Sequence, residues 1–337
     1  MQRPPSGRHN PGQSSMVKLA GGGRFAGPRM RSIRLLAAAA AAGGLLAVVA
    51  CGPSAEARNP QSDSRSQGRP YELAGTQVFD LPAPDLGRDY QIFVSLPEGY
   101  ATSDRAYPVL YVTDADYAFP LIRSIARRVG DGGDGLEDFI LVGLSYAVGD
   151  SPTVSRRRDY TPTPRGPRQD VERHGEAPGY ARYVETTVIP FVERAFRADP
   201  DRRIFMGHSY GALLGVQILF TRPTLFDGYI LGSPSLWYDS RHMMTVEQRY
   251  AETHDDLPAN IFLYIGEYET PHPGDPRYGT ADMVGDNAAF ERALRSRGYP
   301  GLKIASSVVR DEDHLSVMPS GLTRGLKHLL PPRRAPR

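Results

Sequence analysis

The run Arg203–Phe220, "RIFMGHSYGALLGVQILF", constrains this chain more than any other part of it. It opens as a short apolar strand over Arg203–Gly207, bends through two glycines around one serine, and continues as a helix over Ala212–Phe220. A strand that is apolar on both faces must be covered on both faces, which is the environment of a parallel sheet flanked by helices. From Tyr71 onward the same alternation repeats. Tyr107–Asp114, Phe139–Leu144, Gly228–Ser233 and Asn260–Gly266 are expected as buried strands, and Lys303–Val309 as the last strand. Pro120–Val129, Tyr180–Phe196, Asp282–Arg297 and Ser316–Leu330 are expected as helices, while Gln77–Leu81 and Asp89–Leu96 read as an antiparallel opening pair. Repeated strand–helix units predict an α/β fold with a mostly parallel central sheet and helices on both faces. In such sheets ligands sit at the carboxyl ends of the strands. The polar, Pro- and Arg-rich stretch Ser145–Pro178 exceeds an ordinary connection and reads as a functional loop or lid.

The bulk numbers exclude several classes. A net charge of +2 over 337 residues leaves no broad basic face for nucleic acid. The single cysteine rules out an intramolecular disulfide and a thiolate zinc cluster, and the eight histidines show no H-E-x-x-H spacing, so no metal is expected. That cysteine lies at the end of a targeting pattern. After a Gly-, Pro- and Arg-rich extension over residues 1–29, "MRSIR" begins at Met30, an apolar run spans Leu35–Ala50, and Cys51 follows "VVA". A basic region, an apolar region and small residues before the break describe a secretory signal. The junction resembles the lipobox of bacterial lipoproteins, with Val48 where leucine is usual, which implies lipidation at Cys51; a plain anchor is the other reading. The expected organisation is an export segment over 1–51, a flexible linker over 52–69 and a catalytic domain over 70–332. Membrane contact is expected only through that anchor, and no protein partner is implied.

G-x-S-x-G by itself is a weak signal in a chain with 35 glycines. Its setting strengthens it: buried strand, then Gly207-His208-Ser209-Tyr210-Gly211, then helix. The glycines allow a sharp turn that lifts the serine hydroxyl above the sheet, and the helix start offers N–H groups and a positive dipole end to a developing oxyanion. A serine hydroxyl needs a base. "VVRDEDHLSVMP" places His314 after the last strand, and "LYIGEYET" places Glu267 and Glu269 after the strand before it. The order Ser, acid, His is that of the α/β-hydrolase fold. His208 is expected to point away from the site, and His174, His242, His254 and His272 to lie on the surface or at a pocket rim.

These runs carry a resemblance. "GHSYGALLGVQILFTRPTLFDGYILGSPSLWYD", "YIGEYE" and "DEDHLSVMP" resemble the bacterial putative-esterase family of α/β-hydrolases, over about Tyr71–Leu330. That family includes siderophore trilactone esterases and S-formylglutathione hydrolase, with feruloyl and acetylxylan esterases and mycolyltransferases more distant. The resemblance puts the triad acid at Glu269, with Glu267 as fallback, and includes members that work with a Ser–His dyad. It also implies a second oxyanion donor in the loop after the third strand, where "VTDADYAF" offers the Asp116 N–H to pair with that of Tyr210. The family's "R…DYTP" segment corresponds here to Arg156–Pro162. Physically, arginines on a loop near the strand ends suit a carboxylate, phosphate or catecholate, and Arg158 and Tyr160 are the candidate substrate contacts. Trp237 is placed either in an aromatic acyl pocket or in the core.

The expectation is a serine esterase acting on a small ester, a siderophore trilactone or related ester being what the resemblance implies, without cofactor and outside the cytoplasm. Two rivals stand beside it: an acyltransferase on the same triad, and a non-catalytic ligand-binding lipoprotein on a hydrolase scaffold.

Overall fold

Every residue of Tyr107–Val112, "YPVLYV", is buried, because this strand lies in the middle of the sheet. The computed structural model describes residues 69–130, 135–165 and 173–332, so the export segment, Cys51 and nearly all of the linker lie outside the described residues. Eight strands follow one another as β1 (Thr76–Ala83), β2 (Arg88–Ser95), β3 (Tyr107–Val112), β4 (Ile140–Leu144), β5 (Ala198–His208), β6 (Gly228–Gly232), β7 (Asn260–Gly266) and β8 (Lys303–Val309). They form one sheet in the order β1-β2-β4-β3-β5-β6-β7-β8. The strands β3 to β8 run parallel, and β1 and β2 add an antiparallel edge at β4. This is the expected α/β-hydrolase architecture.

Alternate residues feed two cores. Tyr111, Val142, Phe205, Tyr229 and Leu263 face one side, where they meet the helices α3 (Ala177–Tyr183), α4 (Ile189–Ala195), α5 (Tyr210–Thr221), α6 (Tyr238–Ala251) and α7 (Met283–Ser296). Leu110, Val112, Leu141, Met206 and Ile230 face the other, against α1 (Ala115–Gly130) and α8 (Met318–Leu329). Burial on both faces explains why these strands read as unbroken apolar runs. The helix α5 is buried from Gly211 to Phe220, which places it in the interior. The chain visits β3, then β4 on one side, then β5 on the other, so the sheet's switch point lies at the carboxyl ends of β3 and β5.

Two expectations are corrected, and one helix, α6, had no counterpart among them. The helix after β3 starts at Ala115, not Pro120, because Asp114 turns the chain at φ 57° directly after the strand. Part of the expected loop Ser145–Pro178 is the helix α2 (Pro152–Asp159), capped by Ser151, whose side chain accepts from the Val154 N–H. The helix α6 carries no clear apolar stripe in sequence, and three left-handed residues, Asp239, Ser240 and Arg241, break its first turn. The expected helix Tyr180–Phe196 is continuous from α3 to α4 through a wide turn at Val184–Val188. Among the described residues no helix is long and apolar enough to cross a membrane.

Candidate active site

The strand β5 ends at His208 and α5 begins at Tyr210, which leaves Ser209 alone in the turn at φ 59°, ψ −119°. A non-glycine residue there carries strain of roughly 1–3 kcal/mol. The surroundings hold it: its N–H donates to the Gly232 carbonyl at 2.9 Å, and its carbonyl accepts from the Leu213 N–H at 3.0 Å. Both motif glycines are dictated by close approach. A Cβ at Gly207 would stand 2.2 Å from the Gly211 carbonyl oxygen, and one at Gly211 would stand 2.2 Å from Thr113 Oγ1.

Three side chains from three loops meet at this turn. Ser209 Oγ lies 2.9 Å from His314 Nε2, and His314 Nδ1 lies 2.6 Å from Glu269 Oε2. Glu269 comes from the turn after β7 and His314 from the turn after β8, each at a strand's carboxyl end. The Glu269 side chain is 2% exposed and that of His314 is 34%, so the acid forms the back of the site and the imidazole opens onto it. Burial alone would raise the Glu269 carboxyl, but donors from His314, Ser233 and the Gly266 N–H together hold it below the usual range. An ionised carboxylate only accepts, so His314 donates from Nδ1 and takes the Ser209 proton at Nε2. Glu267 points elsewhere and accepts from the Asp311 N–H at 2.9 Å.

A second polar cluster backs the turn after β3. Asp114 Oδ1 accepts from Arg156 Nε at 2.7 Å and from the Tyr146 hydroxyl at 2.8 Å. The Asp114 N–H reaches the Tyr160 hydroxyl at 3.4 Å, and Arg156 also reaches the His208 carbonyl at 3.5 Å. These bonds tie α2 to the loop that leads into α1. Asp116 lies in the first turn of α1 and Tyr210 begins α5, so the N–H groups of both stand at helix starts, which suit a developing oxyanion.

Two cavities flank Ser209 and His314, and Arg156 and Leu315 belong to the walls of both. One, of about 400 Å³, is walled by Tyr117, Tyr146, Met206, His208 and Met318. The other, of about 510 Å³, is walled by Trp237, Tyr268, Arg277, Tyr278 and Met283. An ester carbonyl at Ser209 thus has room on either side for a substantial group. Among the described residues no group of three or more His, Cys, Asp or Glu side chains is placed to hold a metal ion.

The family described as "Putative esterase" matches residues 83–304, about two thirds of the chain, and the match takes in the elbow and the acid turn. The chain belongs to the putative esterase family. It is similar to the ferri-bacillibactin esterase BesA of Bacillus subtilis, at 29% identity over 81% of this chain and 96% of that protein. It is also similar to the siderophore enterobactin esterase of Emericella nidulans, at 32% identity over 71% of this chain and 89% of that protein. Among solved structures, an IroE-like serine hydrolase from Shewanella oneidensis superposes with a TM-score of 0.65 at 29% identity, over 76% of this chain and 80% of that one. This esterase is a carboxylic ester hydrolase of the α/β-hydrolase type.

The structure redistributes the other expected contacts of this esterase. Arg158 turns away from both cavities and lies in a buried ion pair with Asp159 at 2.8 Å and a half-buried one with Asp150 at 2.6 Å. Its helical neighbour Arg156 takes the place on the cavity walls, because residues two apart on a helix point to different sides. Tyr160 is fully buried behind Asp114 and touches neither cavity. Trp237 lines the larger cavity. His208, expected to point away, forms part of the smaller cavity's wall, with its Nε2 2.8 Å from the His314 carbonyl. That carbonyl only accepts, so Nε2 carries the proton and Nδ1 faces the Tyr264 hydroxyl at 3.4 Å. His174 is buried beside Tyr238 and not at the surface. Two serines of the Ser-Pro-Ser-Leu-Trp run had no role in the sequence reading. Ser233 Oγ lies 2.6 Å from Glu269 Oε1, and Ser235 Oγ lies 3.3 Å from Ser209 Oγ. Their spacing around a proline is the one sequence signal that could have marked them.

Proposed function

We propose that this esterase hydrolyses siderophore-type esters through a Ser209–His314–Glu269 triad and an acyl-enzyme. The observation that carries this reading is the unbroken run of hydrogen bonds from Ser209 Oγ through His314 to the buried Glu269. Ser209 Oγ attacks the ester carbonyl carbon while its proton passes to His314 Nε2, and Glu269 fixes the imidazole and stabilises its charged form. The N–H groups of Tyr210 and Asp116 receive the oxyanion. The bond to the alkoxy oxygen then breaks and that oxygen takes the proton from His314. Water, deprotonated by His314, attacks the acyl-enzyme, and Ser209 leaves with its proton restored.

The substrate class is supported by the relatives, which include esterases of ferri-bacillibactin and enterobactin, and by the two flanking cavities, which suit an ester bulky on both sides. The test is Ser209→Ala. Hydrolysis of a p-nitrophenyl ester and of a siderophore trilactone should both fall by a factor on the order of 10³ or more, and the adduct with a fluorophosphonate should vanish. Retained turnover would overturn the triad. The sequence pattern at Met30–Cys51 further supports export and lipidation at Cys51, and the mass of the mature N-terminus tests it.

A further inference from the structure

The turn after β6, Ser233-Pro234-Ser235, touches both ends of the hydrogen-bonded run. Ser233 is fully buried at φ 42°, with its N–H on the Tyr264 carbonyl at 2.7 Å and its Oγ on Glu269 Oε1. Ser235 is 1% exposed, and it meets Ser209 twice: Oγ to Oγ at 3.3 Å, and its N–H to the Ser209 carbonyl at 3.4 Å.

Counting protons fixes the direction of these bonds. The Glu269 carboxylate only accepts, so Ser233 is the donor to Oε1 and His314 the donor to Oε2. A neutral imidazole that donates at Nδ1 must accept at Nε2. Ser209 has one hydroxyl proton, and it is committed to Nε2. Between the two serines, Ser235 is therefore the donor.

We propose that this turn is a clasp on the relay. In it Ser235 is a further catalytic residue whose hydroxyl holds Ser209 Oγ, and Ser233 is a positioning residue that acts through Glu269. The proposal rests on the triad reading above. With one lone pair of Ser209 Oγ held by Ser235 and the O–H turned to His314, the other lone pair is left aimed at the substrate carbonyl. The contact also serves the second half of the reaction. When the acyl carbon–Oγ bond breaks, its electron pair returns to Oγ, which already accepts from Ser235 while the proton arrives from His314. Ser233 is the side-chain donor, beside the Gly266 N–H at 2.7 Å, to the Glu269 oxygen that His314 does not use, and it helps the carboxylate keep a single orientation toward Nδ1.

The experiment compares Ser235→Ala, Ser233→Ala, Ser233→Gly and Ser209→Ala with the wild type, in p-nitrophenyl ester kinetics, fluorophosphonate inactivation and thermal unfolding. Ser235→Ala should lower kcat about ten-fold with KM little changed, and slow fluorophosphonate inactivation by a similar factor. Ser233→Gly is the decisive variant at the second position. Glycine enters positive φ freely, so a purely conformational role predicts full activity, whereas loss of the donor predicts a kcat about ten-fold down, as in Ser233→Ala. Full kcat in both Ser235→Ala and Ser233→Gly, with Ser209→Ala inactive, would overturn the clasp and leave the triad standing. An active Ser209→Ala would overturn the triad reading, and the clasp with it.

Discussion

At the scale of the residue, the acid is where sequence and structure divide the work. Glu267 and Glu269 stand two apart after the same strand with equal charge, and in the sequence only the family resemblance favours Glu269. The turn decides between them. The Glu269 N–H reaches back to the Gly266 carbonyl at 3.2 Å, and its side chain folds under the strand end, where Gly266 N–H and Ser233 receive it. Glu267 is left outside, on the Asp311 N–H. Glu269→Gln should therefore lower kcat by a factor on the order of 10²–10⁴ with KM kept, because an amide can hold the imidazole in the wrong tautomer and cannot stabilise its charge. Glu267→Gln should stay within about two-fold of wild type, since exposed polar changes away from the site cost little. Steady-state kinetics on one chromogenic ester checks both, and an inverted result would move the acid to Glu267.

At the scale of the element, β5–Ser209–α5 is held against the sheet by a glycine that the motif does not include. A Cβ on Gly215 would stand 2.5 Å from Leu231 Cδ2 and 2.8 Å from Phe205 Cε1, both buried between α5 and the sheet. Gly215→Val should lower stability by about 1–3 kcal/mol through overpacking, read as a shift of the urea midpoint at unchanged slope. The strand–helix units were legible in the sequence because each buried strand is a short apolar run and the helices that cover them are either striped, as α1 and α8 are, or apolar throughout, as α5 is. The helices α2 and α6 were not. Residues Pro152–Asp159 include three consecutive arginines and almost no apolar side chain, so no periodic stripe exists, and the only local mark is the Ser151-Pro152 cap. In α6 the buried positions Met243, Glu247 and Tyr250 have helical spacing, but the charge on Glu247, which is paired with Arg297 at 2.8 Å, hides the pattern. The role of Arg156 was hidden with α2, since only helical geometry separates its direction from that of Arg158.

At the scale of the whole molecule, the sheet's strand order brings segments more than a hundred residues apart to one edge, and this convergence carries consequences for stability as well as for chemistry. His208 is the clearest case. Its ring lies between Tyr264, at a centroid distance of 6.0 Å, and His314, at 4.9 Å. Burial first, and the neighbouring His314 next, push it down to about 4; the His314 carbonyl and Glu269 oppose this without prevailing, and Arg156 adds to the depression. In the unfolded chain a histidine takes its proton near pH 6.5. As pH falls below that value the unfolded state binds a proton that the native state refuses, so stability declines with falling pH from about 6.5 and stops declining, for this group, near 4. Between pH 6.5 and pH 5 the loss is at most about 2 kcal/mol, less to the extent that the half-buried ring is solvated. Unfolded carboxylates titrate mainly below this window, which keeps Glu269 out of it. His242 and His328, both also lowered by burial, act in the same direction. They are present in wild type and variant alike, so a comparison cancels them. His208→Gln keeps a donor for the His314 carbonyl and has nothing to titrate. Urea unfolding at pH 7 and pH 5 should show wild type losing more stability than His208→Gln over that interval. Equal losses would mean that the native ring takes its proton at the ordinary pH, and that the strand-end cluster around His314 is open to water.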